Sequence, residues 1–250
     1  MWLDKRIAVV VPAYREERLI GRTVMGIPAW VDAIYVVDDA SPDGTAEAVR
    51  ALHDPRVRLL RHPENRGVGA AIANGYRSAL AEGAEVVAVM AGDNQMHPDD
   101  LAAVVTPVAT QRADYVKGNR FVHPERARMP PLRRLGGRAL GGLTRLCTGL
   151  SVSDTQCGFT AISAAAVGGL PLAELWPRYG YPNDLLGMLA ARGFKVAEVA
   201  VRPVYADERS GIRPWHLLTV AAVIARRWGK EQLASAARAD ALRRRRATAA

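Results

Sequence analysis

Cysteine is scarce in this chain: Cys147 and Cys157 are the only two among 250 residues, and they fall in no zinc-ligand spacing. A disulfide-stapled scaffold and a cysteine-rich metal module are therefore excluded, and a reduced, cytoplasmic protein is the simplest reading. Long apolar runs are missing too. The longest near the C-terminus, residues 215–225, falls well short of the roughly 20 residues a spanning helix needs. Charged Asp4, Lys5 and Arg6 stand directly before the first apolar run, where a secretory leader would be hydrophobic. The expectation is a chain that does not cross a membrane by itself but can lie on its cytoplasmic face.

Two nucleotide signatures are also lacking. "PAYREE" follows the first apolar run where a dinucleotide enzyme would place its glycine fingerprint. The glycines of "NRGVGAA" fit neither that fingerprint nor the Walker spacing. This counts against a dehydrogenase and a P-loop enzyme. The Arg243–Arg246 run has no interleaved aromatics, and no helix-turn-helix or zinc pattern occurs, so nucleic acid is not the expected partner. Finally, acidic residues are absent from residues 126–153, a stretch that holds six arginines (126, 128, 133, 134, 138 and 145) among leucines and glycines.

What is present is ample core material and positive charge. With 49% hydrophobic residues the chain can bury one large α/β domain, and a formal charge of +9 points to an anionic partner. Short β-branched runs at residues 7–11, 33–37, 57–60 and 86–90 alternate with helix-like periodicity at 16–25, 46–52, 65–80 and 101–109. A further strand begins at 115–117, and another αβ pair spans 185–191 and 196–201. This alternation predicts an α/β fold: an open, mostly parallel, doubly wound sheet with helices on both faces. Residues 1–214 are expected to form that domain, and residues 215–250 a basic helical tail.

Ligands of such sheets bind beyond the carboxyl ends of the strands. Three of the expected strands end in polar side chains: Tyr14 and Glu16, Asp38 and Asp39, and Asp93 and Gln95. Asp93 and Gln95 are two residues apart in an extended segment, so their oxygens point the same way and suit Mg2+ or Mn2+ bridging to a diphosphate. Pro98, Asp99 and Asp100 already supply a helix start, so Asp93 is not needed as a cap. Asp38-Asp39 either builds the turn before "SPDGT" or accepts hydrogen bonds from a base or ribose.

The segments "VVVPAYREERLIGRTV", "YVVDDASPDGT", "NRGVGAAIANGYRSAL", "AGDNQMHPDD", "GNRF" and "DTQCGFTAIS" together resemble family 2 glycosyltransferases, in order and spacing. They look most like the polyprenyl-phosphate sugar transferases of the dolichol-phosphate mannosyltransferase type, over residues 5–214. The resemblance implies a GT-A fold, a nucleoside-diphosphate sugar donor of the GDP-mannose or UDP-glucose type, and Mg2+ or Mn2+. Pro12, Ala13, Tyr14, Glu16, Asp38, Asp39 and Gly67 would hold the donor, and Asp93 with Gln95 the metal. Ala91 stands where the family's metal motif has its first acidic residue, and Val68 where a lysine is frequent.

The resemblance also places Arg120, Arg133, Arg209 and Arg213 on donor or acceptor phosphates, as guanidinium forks suit. Asp184 matches the acidic residue of the acceptor side, as a general base or a positioning group, and Asp93, Arg120 and Asp184 form the implied catalytic set. The expected activity is inverting transfer of a hexose to a polyprenyl phosphate at an anionic membrane surface, approached through the arginine- and leucine-rich segment. Transfer to a saccharide or small molecule is the alternative, with Asp184 as base. A non-catalytic nucleotide-sugar binder and a nucleic-acid binder remain as readings of a different class.

Overall fold

The computed structural model describes residues 1–204 and 214–248, with described side chains running to 204 and from 218 to 235. Seven strands form one sheet: β1 (Ile7–Ala13), β2 (Ala33–Asp38), β3 (Val57–Arg61), β4 (Val86–Val89), β5 (Tyr115–Asn119), β6 (Thr160–Ser163) and β7 (Val196–Ala200). Their order is β3-β2-β1-β4-β6-β5-β7. All neighbours run parallel except β6, which is antiparallel to both β4 and β5. β6 lies in "DTQCGFTAIS", a segment whose strand character the sequence pattern did not reveal, because "TAIS" holds one large apolar residue, Ile162, where β4 reads "VVAV".

Side chains of a strand alternate between faces, and β1 divides accordingly. Ala8 and Val10 join a core with Ala71, Ile72 and Tyr76 of α3 (Val68–Ala81) and Leu185, Leu186 and Leu189 of α7 (Tyr181–Ala191). Ile7, Val9 and Val11 join the opposite core with Ile20 and Val24 of α1 (Ile20–Gly26) and Leu101, Val104 and Val105 of α4 (Leu101–Ala109). Continuous apolar runs in β1, β2 and β4 are what a parallel sheet covered on both faces requires. α2 (Thr45–Arg50) packs on the second face and α6 (Ala164–Gly169) on the first. Helix α1 begins at Ile20, not at residue 16, because residues 14–19 are drawn over the sheet edge as part of the site.

The arginine-rich segment is helix α5 (Pro131–Thr148), stopped by Gly149 at φ 73°. Gly137, Leu140, Gly141 and Thr144 form its buried stripe. The two glycines allow close approach: a Cβ on Gly137 would meet the Phe121 ring at 2.8 Å, and one on Gly141 would run into the Ser153 carbonyl. Helix α8 (Pro214–Thr248) packs on α5 through Val220 and Ile224 against Leu140. It also reaches α7, where buried Arg227 donates from Nε and Nη2 to the two carboxylate oxygens of Asp184, both at 2.8 Å. No described helix is long and apolar enough to cross a membrane.

The start of α3 is shaped by a second backbone. Gly67 sits at φ 93°, and residues 176–178 lie directly against it and Gly69. The Gly69 amide donates to the Pro177 carbonyl at 2.8 Å, so the end of α3 is capped by protein. A Cβ on Gly69 would run into the Trp176 carbonyl and stand 2.8 Å from Tyr181 Cβ. Gly69→Ala is therefore expected to cost about 1–3 kcal/mol by overpacking, with a lower midpoint in thermal or denaturant unfolding. An unchanged midpoint would mean that the 176–178 segment yields freely.

Candidate active site

The strand order reverses between β1 and β4, and there the carboxyl ends part into a cleft, as in other doubly wound sheets. One cavity of about 510 Å³ is lined by Pro12, Ala13, Tyr14, Glu16, Asp39, Gly67, Asp93, Arg178 and Tyr179, among others. A second, of about 550 Å³, carries Gln95, Arg120, Arg133, Gln156 and Arg202. Glu16, Val68, Ala91, Asp93 and Tyr179 line both, so the two are lobes of one cleft that meet at Asp93. The antiparallel sense of β6 matters here. It brings the amino end of that strand, with Gln156, Cys157 and Gly158, to the edge where β4 and β5 finish.

Local chemistry explains each wall. "PAYREE" is held over the sheet by "SPDGT": Ser41 Oγ accepts from Arg15 N at 3.1 Å and Thr45 Oγ1 from Glu16 N at 2.9 Å. Asp39 organises the glycine turn. Its Oδ1 accepts from Arg66 N at 2.9 Å and lies 2.7 Å from His62 Nδ1, while Oδ2 accepts from Gly67 N at 2.7 Å. The Asn74 amide lies 3.2 Å from His62 Nε2. If that amide donates, His62 carries its proton on Nδ1 and donates it to Asp39. Tyr14 and Tyr179, 41% and 50% exposed, put two aromatic side chains on the wall of the first lobe.

Asp93 follows β4 in a turn where Asn94 takes φ 57°, a conformation asparagine tolerates, and Asp93 Oδ1 accepts from Gln95 N at 3.1 Å. Burial pushes its carboxyl above the ordinary value, only partly opposed by backbone amides, and no cationic side chain among the described residues opposes it. An underneutralised carboxylate with the Gln95 side chain on the same cleft wall fits a hard divalent cation. The described residues contain no cluster of three His, Cys, Asp or Glu suited to a metal. The remaining ligands would have to come from diphosphate oxygens and water, which is the usual habit of Mg2+.

The arginine lobe rests on a buried network. Arg120 donates to Asp154 from Nε at 2.8 Å and Nη2 at 2.9 Å, and Asp154 N and Ser153 N both donate to Glu198 Oε1 at 2.9 Å. Lys117 lies beneath, fully buried, with Nζ donating to the Cys157 carbonyl, and its pKa is pulled down to about 8 chiefly by burial. Cys157 is buried and its thiol is pushed up by the same effect, so it is a packing residue and not a nucleophile.

Two expected site residues are moved elsewhere by the structure. Asp38 is fully buried and lines neither lobe: Oδ1 accepts from Ser41 N at 3.0 Å, and Oδ2 lies 3.1 Å from Arg61 Nε without hydrogen-bond geometry. It builds the turn, because its neighbour Asp39 is the one carried past the strand end. Asp184 is also fully buried, one turn inside α7, with both oxygens engaged by Arg227 and Oδ2 also by Trp176 N at 2.8 Å. It is out of reach as a base. Arg209 and Arg213 lie outside the described residues. Pro12, Ala13, Tyr14, Glu16, Asp39, Gly67, Asp93, Gln95, Arg120 and Arg133 all line the cleft.

Sequence reasoning missed Arg178, Tyr179 and Arg202. The first two sit in "WPRYGYP", where an arginine between aromatics in a glycine- and proline-marked loop was the available signal. Arg202 follows β7, and only the sheet order, which sets β7 beside β5, brings it to the cleft.

An open sheet with one antiparallel strand let in, and a two-lobed cleft at its carboxyl edge, places the molecule in the GT-A class of sugar transferases. Accordingly it superposes on glucosyl-3-phosphoglycerate synthase from Mycobacterium tuberculosis, crystallised with Mn2+, UDP-glucose and phosphoglyceric acid. The TM-score is 0.70 at 26% identity, over 90% of this chain and 80% of that one. The chain belongs to Glycosyl transferase family 2, whose family model matches residues 8–168. It is similar to the UDP-N-acetylglucosamine–dolichyl-phosphate N-acetylglucosaminyltransferase of Methanococcus voltae, 29% identical over 82% of this chain and 88% of that one. It is also similar to the undecaprenyl-phosphate mannosyltransferase of Micrococcus luteus, 30% identical over 90% of this chain and 94% of that one.

The raised carboxyl of Asp93 has a consequence for stability. An acid whose folded pKa lies above its unfolded value binds its proton more tightly in the native state. Stability therefore falls as pH climbs from the ordinary carboxylate range through the raised value. Asp93→Asn removes that burden, so the metal-free variant should melt at a higher temperature than the parent at pH 7. Below the ordinary range the two should melt alike. A variant less stable at pH 7 would show that a counter-charge already neutralises Asp93.

Proposed function

We propose that this protein is an inverting glycosyltransferase that moves a hexose from a nucleoside-diphosphate sugar, of the GDP-mannose or UDP-glucose type, to a polyprenyl phosphate at the cytoplasmic membrane surface. The observation that carries this is the division of the cleft at Asp93 into an aromatic lobe and a lobe with Arg120, Arg133 and Arg202. Tyr14, Tyr179 and Asp39 suit a nucleoside. Guanidinium groups suit phosphate oxygens, whether on the leaving diphosphate or on an incoming lipid phosphate.

Asp93 and Gln95 would hold Mg2+ or Mn2+, whose contribution when bound is to neutralise the leaving diphosphate. A lipid phosphate oxygen would attack the anomeric carbon from the face opposite that diphosphate, and the bond to the diphosphate would break as the new one forms. Such a nucleophile is already anionic at neutral pH and needs no general base. A saccharide hydroxyl would need one, and Asp184 is committed to Arg227, which favours the phosphate acceptor. Arg120 and Arg133 would orient the phosphates and stabilise charge as it moves from donor to product.

Helix α5 supports the membrane part of the reading. Leu132, Leu135 and Leu146 are exposed and, with Ala139, follow one another at spacings of three, four and seven along one stripe, with exposed Arg138 and Arg145 close by. Arg133 faces the cleft instead. An apolar stripe flanked by cations fits a bilayer presenting anionic headgroups, each nearby basic residue adding about 1 kcal/mol at low salt.

The decisive experiment incubates the protein with polyprenyl phosphate, Mn2+ and labelled GDP-mannose, UDP-glucose or UDP-N-acetylglucosamine, and follows label into the organic phase. Label should enter the lipid with one donor, and excess EDTA should stop it. Asp93→Ala should lower the rate at least a hundredfold. Label reaching only water-soluble saccharide would sink the lipid acceptor, and full activity in EDTA would sink the metal. Replacing Leu132, Leu135 and Leu146 by Ser should cut binding to vesicles of anionic phospholipid about tenfold or more and leave nucleotide affinity unchanged. Parental vesicle binding would make α5 an ordinary solvated helix.

A further inference from the structure

The wall of the donor lobe that carries Arg178 and Tyr179 has no regular secondary structure of its own, yet it is held from two sides. On the cleft side it leans on the glycine turn: Gly69 N donates to Pro177 O at 2.8 Å, and Arg178 Nη1 lies 3.3 Å from Asn65 Oδ1. Behind it stands α8. Arg227 Nη2 donates to Glu174 O at 3.1 Å, Lys230 Nζ reaches Glu174 Oε2, and the Arg226 guanidinium lies 5.2 Å from the centre of the Trp176 ring.

The Asp184 carboxylate joins the two. Its Oδ2 accepts from Arg227 Nη2 and from Trp176 N, both at 2.8 Å, while Trp176 Nε1 donates to Tyr179 O at 2.9 Å. One chain of hydrogen bonds thus runs from α8 through Asp184 and Trp176 to Tyr179. Arg227 is 2% exposed, and the absence of a side chain at Gly187 leaves room for its aliphatic stem. A bare carboxylate at this depth would be strongly disfavoured, so Asp184 can hold Trp176 in place as an ion only while Arg227 stands opposite.

We propose that α8 is a clamp on the roof of the donor lobe and that Arg227 is a positioning residue for nucleotide binding, acting through Asp184 and Trp176 on Arg178 and Tyr179. The proposal rests on the donor reading above. It assigns a role to residues beyond the 8–168 region shared with the family model. Arg227 touches no substrate. Its effect is to keep the roof in the closed arrangement, so that nucleotide binding does not have to order it.

The test is calorimetric titration of the full chain with UDP and with GDP in Mn2+, far below the unfolding midpoint, for the parent, Arg227→Lys, Arg227→Met and Arg226→Ala. The clamp predicts that Arg227→Met weakens the nucleotide bound by the parent about tenfold, and that Arg227→Lys restores part of the loss by keeping the charge without the fork. Arg226→Ala changes an exposed residue and should fold normally. It should weaken binding about threefold by loss of the stacked cation, which keeps the proposal falsifiable should Arg227→Met fail to fold. In transfer assays the same variants should raise donor KM with kcat within about twofold of the parent.

A purely structural pair would lower unfolding midpoints and leave nucleotide affinity at the parental value in every folded variant, and that result overturns the clamp while the donor reading stands. A parent that binds neither nucleotide overturns both.

Discussion

A strand buried on both faces has its backbone groups committed to its neighbours, so polar chemistry can be placed only where strands end. β1, β2 and β4 end together at one edge of the sheet, and this common edge is the constraint from which the site follows. Asp39, Asp93 and Glu16 meet there although they are far apart in sequence. The one antiparallel strand extends the same logic: inserting β6 between β4 and β5 turns its amino end towards the cleft and delivers Gln156 and Cys157 beside Arg120.

Charge in the cleft is balanced unevenly, and the imbalance is informative. Arg120 is matched by Asp154, Asp39 by backbone amides and His62, and Asp184 by Arg227. These groups are engaged by the protein itself. Asp93, half-buried where the two lobes meet, has its carboxyl raised by desolvation and is opposed by backbone amides and by no described cation.

The long helical tail is part of this economy of charge and not an independent appendage. It covers α5 with apolar side chains and enters α7 with a guanidinium, so the helix with the exposed leucine stripe and the helix whose Asp184 holds the Trp176 amide share one partner. Similarity to polyprenyl-phosphate sugar transferases extends over most of the chain.

The sequence by itself determined the parallel strands, since their β-branched runs are long enough to show a pattern, and it placed Tyr14, Glu16, Asp39, Asp93 and Gln95 at the ends of those runs. It also showed α5 as cationic and leucine-rich. The tertiary structure decided which of two adjacent aspartates faces the cleft, because a turn of one residue sends Asp38 inward and Asp39 to the edge. It decided the fate of Asp184 as well, since the ion that neutralises it lies 43 residues away on α8, a separation no local pattern encodes. Arg202 and the roof residues Arg178 and Tyr179 were settled at the same level. Their place depends on the order of strands in the sheet and on the close approach of two backbones at Gly67 and Gly69, and both are properties of the packed chain.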